Sequence, residues 1–335
     1  MNIIRAEAPT RIDLAGGTLD IHPIFLFHQP ALTINIAINI RAKVAIEPSE
    51  KTQIISQDQG VSAFWDDPRR ISWEEHPRLE LILRIIKSFN PTKGFKLTVN
   101  SEAPVGSGLG GSSVIAIALT AALARWLDVS FSQEELVDYA KSIETQTIKV
   151  PTGYQDYWGA VYGGVHSYEM GLNGKLKRTS LGSDAFHREL ERHIMLVYVG
   201  KPHFSGTNNW ALFKQHIDGE KATVEFFERL KENALLMKEA LQKESLENVA
   251  DALNKDWNTR KTMLPTMTTP EIEKLVTETF KTGAFAARVC GAGGGGCTLL
   301  LVEPKKREET TALIQKMGMQ ILPAKISERG VSIEI

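Results

Sequence analysis

The chain has 335 residues, of which 42% are hydrophobic and 24% are charged, a composition typical of a globular protein with one large or two fused domains. Its formal net charge is −1 and no basic stretch stands out, which argues against nucleic acid as a partner. No signal peptide is visible and the longest apolar runs fall short of a membrane span, so we predict a cytoplasmic protein without membrane contact.

The first part of the chain has strand-like patterns. Short strands are predicted over residues 3–6 and 11–14, and a long, mostly apolar run predicts a further strand over residues 32–46. A helix is predicted over residues 77–89, because its apolar side chains recur every three or four residues and Pro77 falls in its first turn.

A glycine-rich loop over residues 103–111 is the most informative part of the sequence. It follows an alternating strand pattern at residues 95–99 and leads into a helix, rich in Ala, Leu and Ile, over residues 112–126. Glycines let backbone N–H groups approach a ligand closely, and a helix N-terminus adds unpaired N–H groups and a positive dipole end. The arrangement is typical of a phosphate site, although glycines alone could equally form a structural turn.

The remaining elements alternate between helices and strands. Ser132 and Glu135 form a capping box for a helix that we expect to run to about residue 145. An apolar run in residues 192–200 predicts a buried strand, and two or more helices are predicted between about residues 206 and 280. The C-terminal part should therefore begin a new folding unit at this strand.

Two further strands are predicted near residues 285–290 and 297–302, around a run of glycines, followed by a helix near residues 305–317 and terminal strands. Together with the strand before them they give the order β-α-β-β-α-β, which is the ferredoxin-like order. Cys290 and Cys297 flank the glycine run and could pair across it, but we favour two free, packed thiols.

Three motifs, in this order along the chain, resemble those of the GHMP kinases, a family that includes galactokinases, homoserine kinases and mevalonate kinases. They are APTRIDLAGGTLDI at residues 8–21, PVGSGLGGSS at residues 104–113 and ARVCGAGGGGCTLLLV at residues 287–302. The resemblance implies an α+β GHMP kinase fold: an N-terminal α/β domain like ribosomal protein S5 domain 2 over residues 1–188, and a ferredoxin-like C-terminal domain over residues 189–335. It also implies ATP and Mg²⁺ as cofactors and a small sugar or sugar phosphate as the partner; the oligomeric state stays open.

The resemblance assigns the ATP phosphates to nine residues of the second motif: Pro104, Gly106, Ser107, Gly108, Leu109, Gly110, Gly111, Ser112 and Ser113. Ser112 could contact phosphate or Mg²⁺, or it could cap the helix. Glu144 shares a helix face with apolar residues, where a carboxylate is costly unless it is paired or binds a metal. It could instead be solvated at a frayed helix end; the resemblance favours Ser112 and Glu144 as Mg²⁺ ligands.

The catalytic candidates are Asp156 and Arg11. Asp156 lies in an unusually aromatic segment, residues 149–164, and could either remove a proton from a hydroxyl or cap a helix. Galactokinase-like members have their catalytic aspartate at this place, so the resemblance implies that Asp156 is the base. Arg11 could be a surface arginine, but the resemblance implies a cation that keeps Asp156 ionised and neutralises developing charge.

The resemblance implies a substrate site in which Asp20 accepts hydrogen bonds from sugar hydroxyls. The other expected substrate contacts are Gly17, Thr18, Tyr154, His203, Arg288, Gly293 and Gly294. His203 could equally belong to a polar surface turn. Heptose-phosphate kinase relatives often carry an arginine where this chain has asparagine after Thr207, which argues against a phosphorylated sugar.

We therefore predict an enzyme, an ATP-dependent kinase that phosphorylates a hydroxyl of a small sugar or sugar phosphate, the anomeric one in our interpretation, with Asp156 as base. One alternative is a mevalonate-type kinase or the related diphosphomevalonate decarboxylase. Asp20 and the TGYQD segment argue against this alternative. The other alternative is an inactive member of the family that senses a sugar or a nucleotide. The presence of Asp156, Glu144 and Arg11 argues against an inactive protein.

Overall fold

The computed structural model describes residues 3–200 and 206–335 of the chain. The first part contains, in chain order, β1 (Ile4–Ala15), α1 (Ile24–Phe27), β2 (Ala31–Pro48), β3 (Thr52–Ser56), β4 (Val61–Trp65), α2 (Glu80–Phe89), β5 (Phe95–Ser101), α3 (Gly111–Trp126), α4 (Gln133–Ile148), α5 (Gln155–Tyr162), β6 (Val165–Met170) and β7 (Leu176–Ser180). The second part contains α6 (Asp184–His193), β8 (Ile194–Gly200), α7 (Gly206–Ile217), α8 (Lys221–Gln242), α9 (Leu246–Met263), α10 (Pro270–Phe280), β9 (Ala284–Val289), β10 (Gly296–Val302), α11 (Arg307–Lys316), β11 (Gln320–Leu322) and β12 (Ser332–Glu334).

The first sheet of the described chain has eight strands. Six follow the order β12-β1-β2-β5-β3-β4, while β6 pairs with the first part of β2 and β7 pairs with β6. The sequence predicted two short strands near the N-terminus, whereas the structure has one continuous strand. β1 is continuous because it pairs with β2 along most of its length. The pairing register shifts at Pro9/Thr10 and at Asp13/Ala15, and the strand continues through both irregularities.

Helix α3 is the central helix of this domain. Its side chains from Ser113 to Ala124 are buried, because it packs against β1 and β2 on one side and against α2, α4 and α5 on the others. A helix that is apolar on all faces is expected in such a position. The packing fixes the α3 N-terminus, and with it the glycine-rich loop, at the end of β5.

The second sheet has the order β11-β8-β10-β9, with all neighbours antiparallel. Numbered along the chain, this is the order 4-1-3-2, which confirms the predicted ferredoxin-like arrangement. The helices predicted between residues 206 and 280 are α7 to α10, all inserted between β8 and β9. The last strand departs from the expectation: β12 pairs with β1, so the chain end returns to the first sheet. The boundary at residues 188/189 stays a prediction.

The two domains share a hydrophobic core. Apolar side chains of β1 and β2, such as Ile12 and Ile34, pack with Met237 of α8, Leu253 of α9 and Leu299 of β10. This shared core fixes the relative position of the domains and leaves a cleft between α3, α5, α7 and α9. Within the described residues, no helix combines the length and the apolar character that crossing a membrane would require.

Candidate active site

An ion pair between the buried Arg11 of β1 and the half-buried Asp156 of α5 lies at the centre of the cleft. Arg11 Nη2 is 2.6 Å and Nε is 2.7 Å from Asp156 Oδ1. Arg11 Nη1 donates to the carbonyl oxygen of Gly108 at 2.6 Å, which ties the cation to the glycine-rich loop. Burial disfavours a charged guanidinium, but Asp156 and Asp13 outweigh it and raise the pKa of Arg11 above its usual value. Arg11 is therefore a permanent cation and not a surface arginine.

The glycine-rich loop has a backbone that side chains could not adopt cheaply. Gly106, Gly108 and Gly110 have φ values of 73°, 76° and 77°. A Cβ on Gly108 would lie 2.4 Å from the carbonyl oxygen of Cys290, and a Cβ on Gly110 would lie 3.0 Å from the Asp156 carboxylate. The glycines thus allow the loop to contact both the third motif and Asp156.

The loop opens directly into α3. Gly110 is the N-cap of α3, so Ser112 and Ser113 lie in the first turn and Ser112 is not the helix cap. Leu109 differs from its neighbours, because its side chain is buried in the shared core and its carbonyl oxygen accepts a hydrogen bond from Arg11 N at 3.2 Å. The expected phosphate contact of Leu109 is thus restricted to its backbone.

Two cavities meet at Asp156. The first, of about 520 Å³, is lined by the glycine-rich loop, the start of α3, Glu144 and one edge of α2; we call it the loop cavity. The second, of about 730 Å³, is lined by Arg11, Gly17, Thr18, Asp20 and residues of α7 and α9; we call it the acceptor cavity. Asp156, Gly108 and Gly110 are among the residues that line both.

Glu144 is 4% exposed and points from α4 toward the start of α3. Its Oε2 accepts a hydrogen bond from the Tyr157 hydroxyl at 2.6 Å. Burial raises the pKa of Glu144, and hydrogen bonds from Tyr157, Ser112 and Ser113 partly offset this effect. Because α4 continues to Ile148, Glu144 does not lie solvated at a frayed end.

Asp20 orders the segment that carries Asp156. Its Oδ2 accepts hydrogen bonds from the backbone N–H groups of Tyr154 and Gln155, the latter at 2.7 Å. Burial raises the pKa of Asp20, and these two hydrogen bonds partly offset the effect. Asp20 Oδ1 and Gln155 Oε1 are buried and accept no hydrogen bond from the described residues. Both residues line the acceptor cavity, and sequence analysis missed Gln155.

Arg288 is not in the cavity wall. Its fully buried guanidinium forms ion pairs with Asp13 of β1 and Asp256 of α9. Although burial opposes it, Arg288 and then Arg11 lower the pKa of Asp13 to about 2. Arg288 therefore holds the two domains together, and the expectation that it contacts substrate is corrected.

Other expected substrate residues are also displaced from the cavity. The Tyr154 ring stacks on Trp158, with ring centroids 4.8 Å apart. Lys141 Nζ lies 4.4 Å from the centroid of the Tyr154 ring. Gly293 packs against the backbone of Met267, and Gly291 and Ala292 line the cavity where Gly293 and Gly294 were expected. His203 lies outside the described residues.

The third motif, residues 287–302, packs against the glycine-rich loop. Cys297 N donates to the carbonyl oxygen of Ser107 at 2.8 Å, and a Cβ on Gly296 would lie 2.7 Å from the carbonyl oxygen of Gly106. Cys290 and Cys297 are free and buried, as expected. Burial raises the pKa of the Cys290 thiol to about 12, so this thiol is a packed, neutral group.

Comparisons with known proteins find one family in both parts of the chain. Residues 79–164 match the GHMP kinases N terminal domain, and residues 237–316 match the GHMP kinases C terminal family. A D-glycero-alpha-D-manno-heptose 7-phosphate kinase of Campylobacter jejuni is 26% identical over 302 residues, which cover 88% of this chain and 87% of that protein.

Solved structures show the same fold. A D-glycero-D-manno-heptose 1-phosphate kinase from Bacteriodes thetaiotaomicron aligns with a TM-score of 0.81 at 23% identity, over 99% of each chain. The mevalonate kinase of Methanococcus jannaschii aligns with a TM-score of 0.76 at 20% identity, over 96% of this chain and 98% of that chain.

The fold, the two family matches and the cleft define the class of protein as an ATP-dependent small-molecule kinase. The chain belongs to the GHMP kinase family. The predicted fold and family are therefore confirmed.

Proposed function

We propose that this protein transfers the terminal phosphoryl group of ATP to a hydroxyl of a small sugar or sugar phosphate by direct in-line displacement, with Asp156 as the base. The observation that carries the proposal is the position of Asp156, which lies where the loop cavity and the acceptor cavity meet. A group at this junction can contact an acceptor hydroxyl on one side while the phosphate chain lies on the other.

The loop cavity fits a chain of phosphates. Glycines without room for a Cβ bring backbone N–H groups close to the cavity, and the α3 N-terminus adds its unpaired N–H groups and dipole. Arg11 is fixed beside this cradle by Gly108 and Asp156, so a positive charge is in position before any ligand binds. We assign the ATP phosphates to this cavity, with Arg11 neutralising charge that develops during transfer.

The donor set beside the loop fits Mg²⁺ held jointly with phosphate. No group of three or more His, Cys, Asp or Glu side chains suited to a metal occurs among the described residues. Mg²⁺ usually takes one or two carboxylates and completes its shell with substrate phosphates and water. Glu144 and Ser112 would supply the protein ligands, and the bound ion would neutralise charge on the phosphate oxygens.

The acceptor cavity has the polarity that a ligand rich in hydroxyl groups requires. A buried acceptor without a hydrogen bond is costly, and Asp20 Oδ1 and Gln155 Oε1 are two such atoms in this wall. Sugar hydroxyls can donate to both. This supports an acceptor that carries several hydroxyl groups, as a sugar does.

The chemistry follows from the geometry of the ion pair. The Asp156 carboxylate takes the proton of the acceptor hydroxyl, the hydroxyl oxygen bonds to the terminal phosphorus, and the bond from this phosphorus to the ADP oxygen breaks. Arg11 stays bonded to Asp156 Oδ1, which leaves Oδ2 for the proton. We assign the reaction to the anomeric hydroxyl, following the likeness to galactokinase-like kinases.

Two experiments test the proposal. ADP formation is measured with ATP and Mg²⁺ against free sugars, sugar phosphates and mevalonate, and we expect turnover with one sugar or sugar phosphate. Asp156→Asn should lower kcat by about 10²- to 10⁴-fold while nucleotide binding, measured by calorimetry, is retained. Asp251→Asn, a change at an exposed aspartate of α9, is the matched control.

Each alternative has a distinct result. Turnover with mevalonate or its phosphates alone would move the protein to the isoprenoid branch. Ligand binding without any turnover would favour an inactive sensor. Substantial activity in Asp156→Asn would refute the base mechanism while leaving the kinase class intact.

A further inference from the structure

A buried arginine in the acceptor cavity has no role in the proposed reaction. Arg260, near the end of α9, is 4% exposed and lines the acceptor cavity but not the loop cavity. Among the described residues in that wall, the only other cation is Arg11, which is engaged by Asp156. Arg260 is therefore the cation on the acceptor side that the reacting groups leave available.

The partners of Arg260 fix its guanidinium without using all of its donors. Nε donates to Asp256 Oδ2 at 2.7 Å and Nη2 donates to the carbonyl oxygen of Gly17 at 2.8 Å. A guanidinium has five N–H groups, and no described residue accepts a hydrogen bond from Nη1. Ordered N–H groups on a side chain that lines the cavity are thus available to a ligand.

Arg260 shares its ion-pair partner with a second arginine. Asp256 Oδ2 accepts from both Arg260 and Arg288, so two cations share one carboxylate. Arg288 has a second partner in Asp13, whereas the described ion pairs of Arg260 end at Asp256. An anion in the cavity would complete the coordination of Arg260.

The place of Arg260 suits one group of the acceptor in particular. The Gly17 carbonyl that it contacts precedes Thr18 and Asp20, which line the same cavity. A phosphate already on the acceptor must lie away from the phosphoryl group in transfer, because two phosphates repel each other. Arg260 meets this condition, since its hydrogen bonds are to Asp256 and Gly17, whereas Arg11 is bonded to the glycine-rich loop at Gly108.

We propose that Arg260 binds a phosphate group on the acceptor, so that the substrate is a phosphorylated sugar and Arg260 determines this specificity. The inference rests on the proposed function and narrows its substrate class. A fixed guanidinium matches the geometry of phosphate oxygens and recognises them more specifically than an ammonium group does. The asparagine after Thr207 argued against such a substrate, and Arg260 supplies from α9 the cation that the sequence lacks there.

The test compares matched pairs of acceptors, each a sugar with and without a phosphate, including heptose 7-phosphate and heptose. We expect the wild-type enzyme to prefer the phosphorylated member. Arg260→Met should raise KM for that member by about 10- to 100-fold, with a much smaller change for the free sugar, and Arg260→Lys should be intermediate. Lys255→Met, at an exposed position of α9, is the control for charge removal from this helix.

A purely structural role of Arg260 gives a different result. If Arg260→Met raises KM equally for both members of a pair, or if the wild type prefers the free sugar, the proposal is overturned. Asp256 keeps Arg288 as a partner in the variant, which favours folding, and thermal unfolding is measured in parallel. If Arg260→Met does not fold, Arg260→Lys decides by the same comparison between members of a pair.

Failure of the kinase reaction is distinguished by a binding measurement. Inorganic phosphate is titrated into the protein by calorimetry with ADP and Mg²⁺ saturating the nucleotide site. If no acceptor is turned over, the proposed function fails, but phosphate binding that is weakened at least tenfold in Arg260→Met still supports the anion site. Equal binding to both proteins, or none to the wild type, overturns it.

Discussion

Arg11 Nη2 lies 2.6 Å from Asp156 Oδ1, and this contact joins residues that are 145 positions apart in the chain. The two partners differ in environment: Arg11 is 3% exposed, whereas Asp156 is 22% exposed. The cation is therefore embedded in the protein, and the carboxylate is open to the cavities. A group that must exchange a proton with a ligand has to be accessible, while the group that stabilises charge does not.

Replacing Arg11 tests the role of this pair. We expect Arg11→Met to lower kcat by about 10²- to 10³-fold, because a fixed cation beside the transferring group is lost and Asp156 loses its anchor. Arg11→Lys should recover part of the rate, since it keeps the charge but not the two-nitrogen contact. Steady-state ADP formation measures both. Equal kcat in Arg11→Met and the wild type would show that the pair is only structural.

Gly110→Ala tests the contact between the glycine-rich loop and Asp156, the proposed base. The new Cβ would lie 3.0 Å from the Asp156 carboxylate at a φ of 77°, so either the loop or Asp156 must move. We expect a lower kcat together with a higher KM for ATP. Gly174→Ala is a matched control, because Gly174 has a φ of 73° and no atom within 4 Å of its Cβ position. Similar kinetics for the two variants would contradict a specific role of Gly110.

The buried ion pairs of Asp256 should dominate the effect of Asp256→Ala on stability. Asp256 is fully buried and is bonded to both Arg260 and Arg288, so its loss leaves Arg260 without an ion-pair partner and Arg288 with Asp13 alone. We expect the free energy of unfolding to fall by about 3–5 kcal/mol, measured by urea denaturation. Asp251→Ala, on the exposed side of the same helix, should change it by less than about 0.5 kcal/mol. A loss as small as that of the control would refute the structural role of Asp256.

His166 should make stability depend on pH. Burial, and then the charge of Arg178, lower the pKa of His166 from its usual value of 6.5 to about 4. The unfolded chain therefore binds this proton more tightly, and stability should be lost as the pH falls from about 6.5 toward 4. Asp13 acts in a separate window, because its low pKa confines its contribution to the region below about pH 4.

Thermal unfolding of the wild type and His166→Gln between pH 7.5 and 4.5 measures this dependence. The variant should lose part of the decline of Tm with falling pH, whereas His22→Gln, at an exposed histidine, should follow the wild type. Parallel curves for the wild type and His166→Gln would exclude His166 as the source.

Several features of the site could be predicted from sequence because their causes are local. The glycine-rich loop follows a strand and opens a helix, and its glycines have the positive φ values that only such residues adopt cheaply. Glu144 was singled out because a carboxylate on an apolar helix face needs a partner, and the structure gives it Tyr157. The ferredoxin-like order followed from the alternation of apolar strand and helix patterns.

Other features depend on contacts between residues far apart in the chain. Arg288 and Arg260 are both buried, yet Arg288 is enclosed by Asp13 and Asp256 and Arg260 lines the acceptor cavity. The free acceptor atom of Gln155 is likewise a property of what packs around it.

The sequence by itself determined the fold and the family and identified Asp156 and Arg11 as candidate catalytic residues, because each rests on a motif or on the periodicity of apolar residues. Only the tertiary structure decided that β12 returns to β1, that Arg288 is structural and that Arg260 lies in the acceptor cavity. The physical reason is that burial and ion pairing are set by which elements pack together. Local propensity cannot tell whether a charged side chain meets an opposite charge, solvent or a ligand cavity.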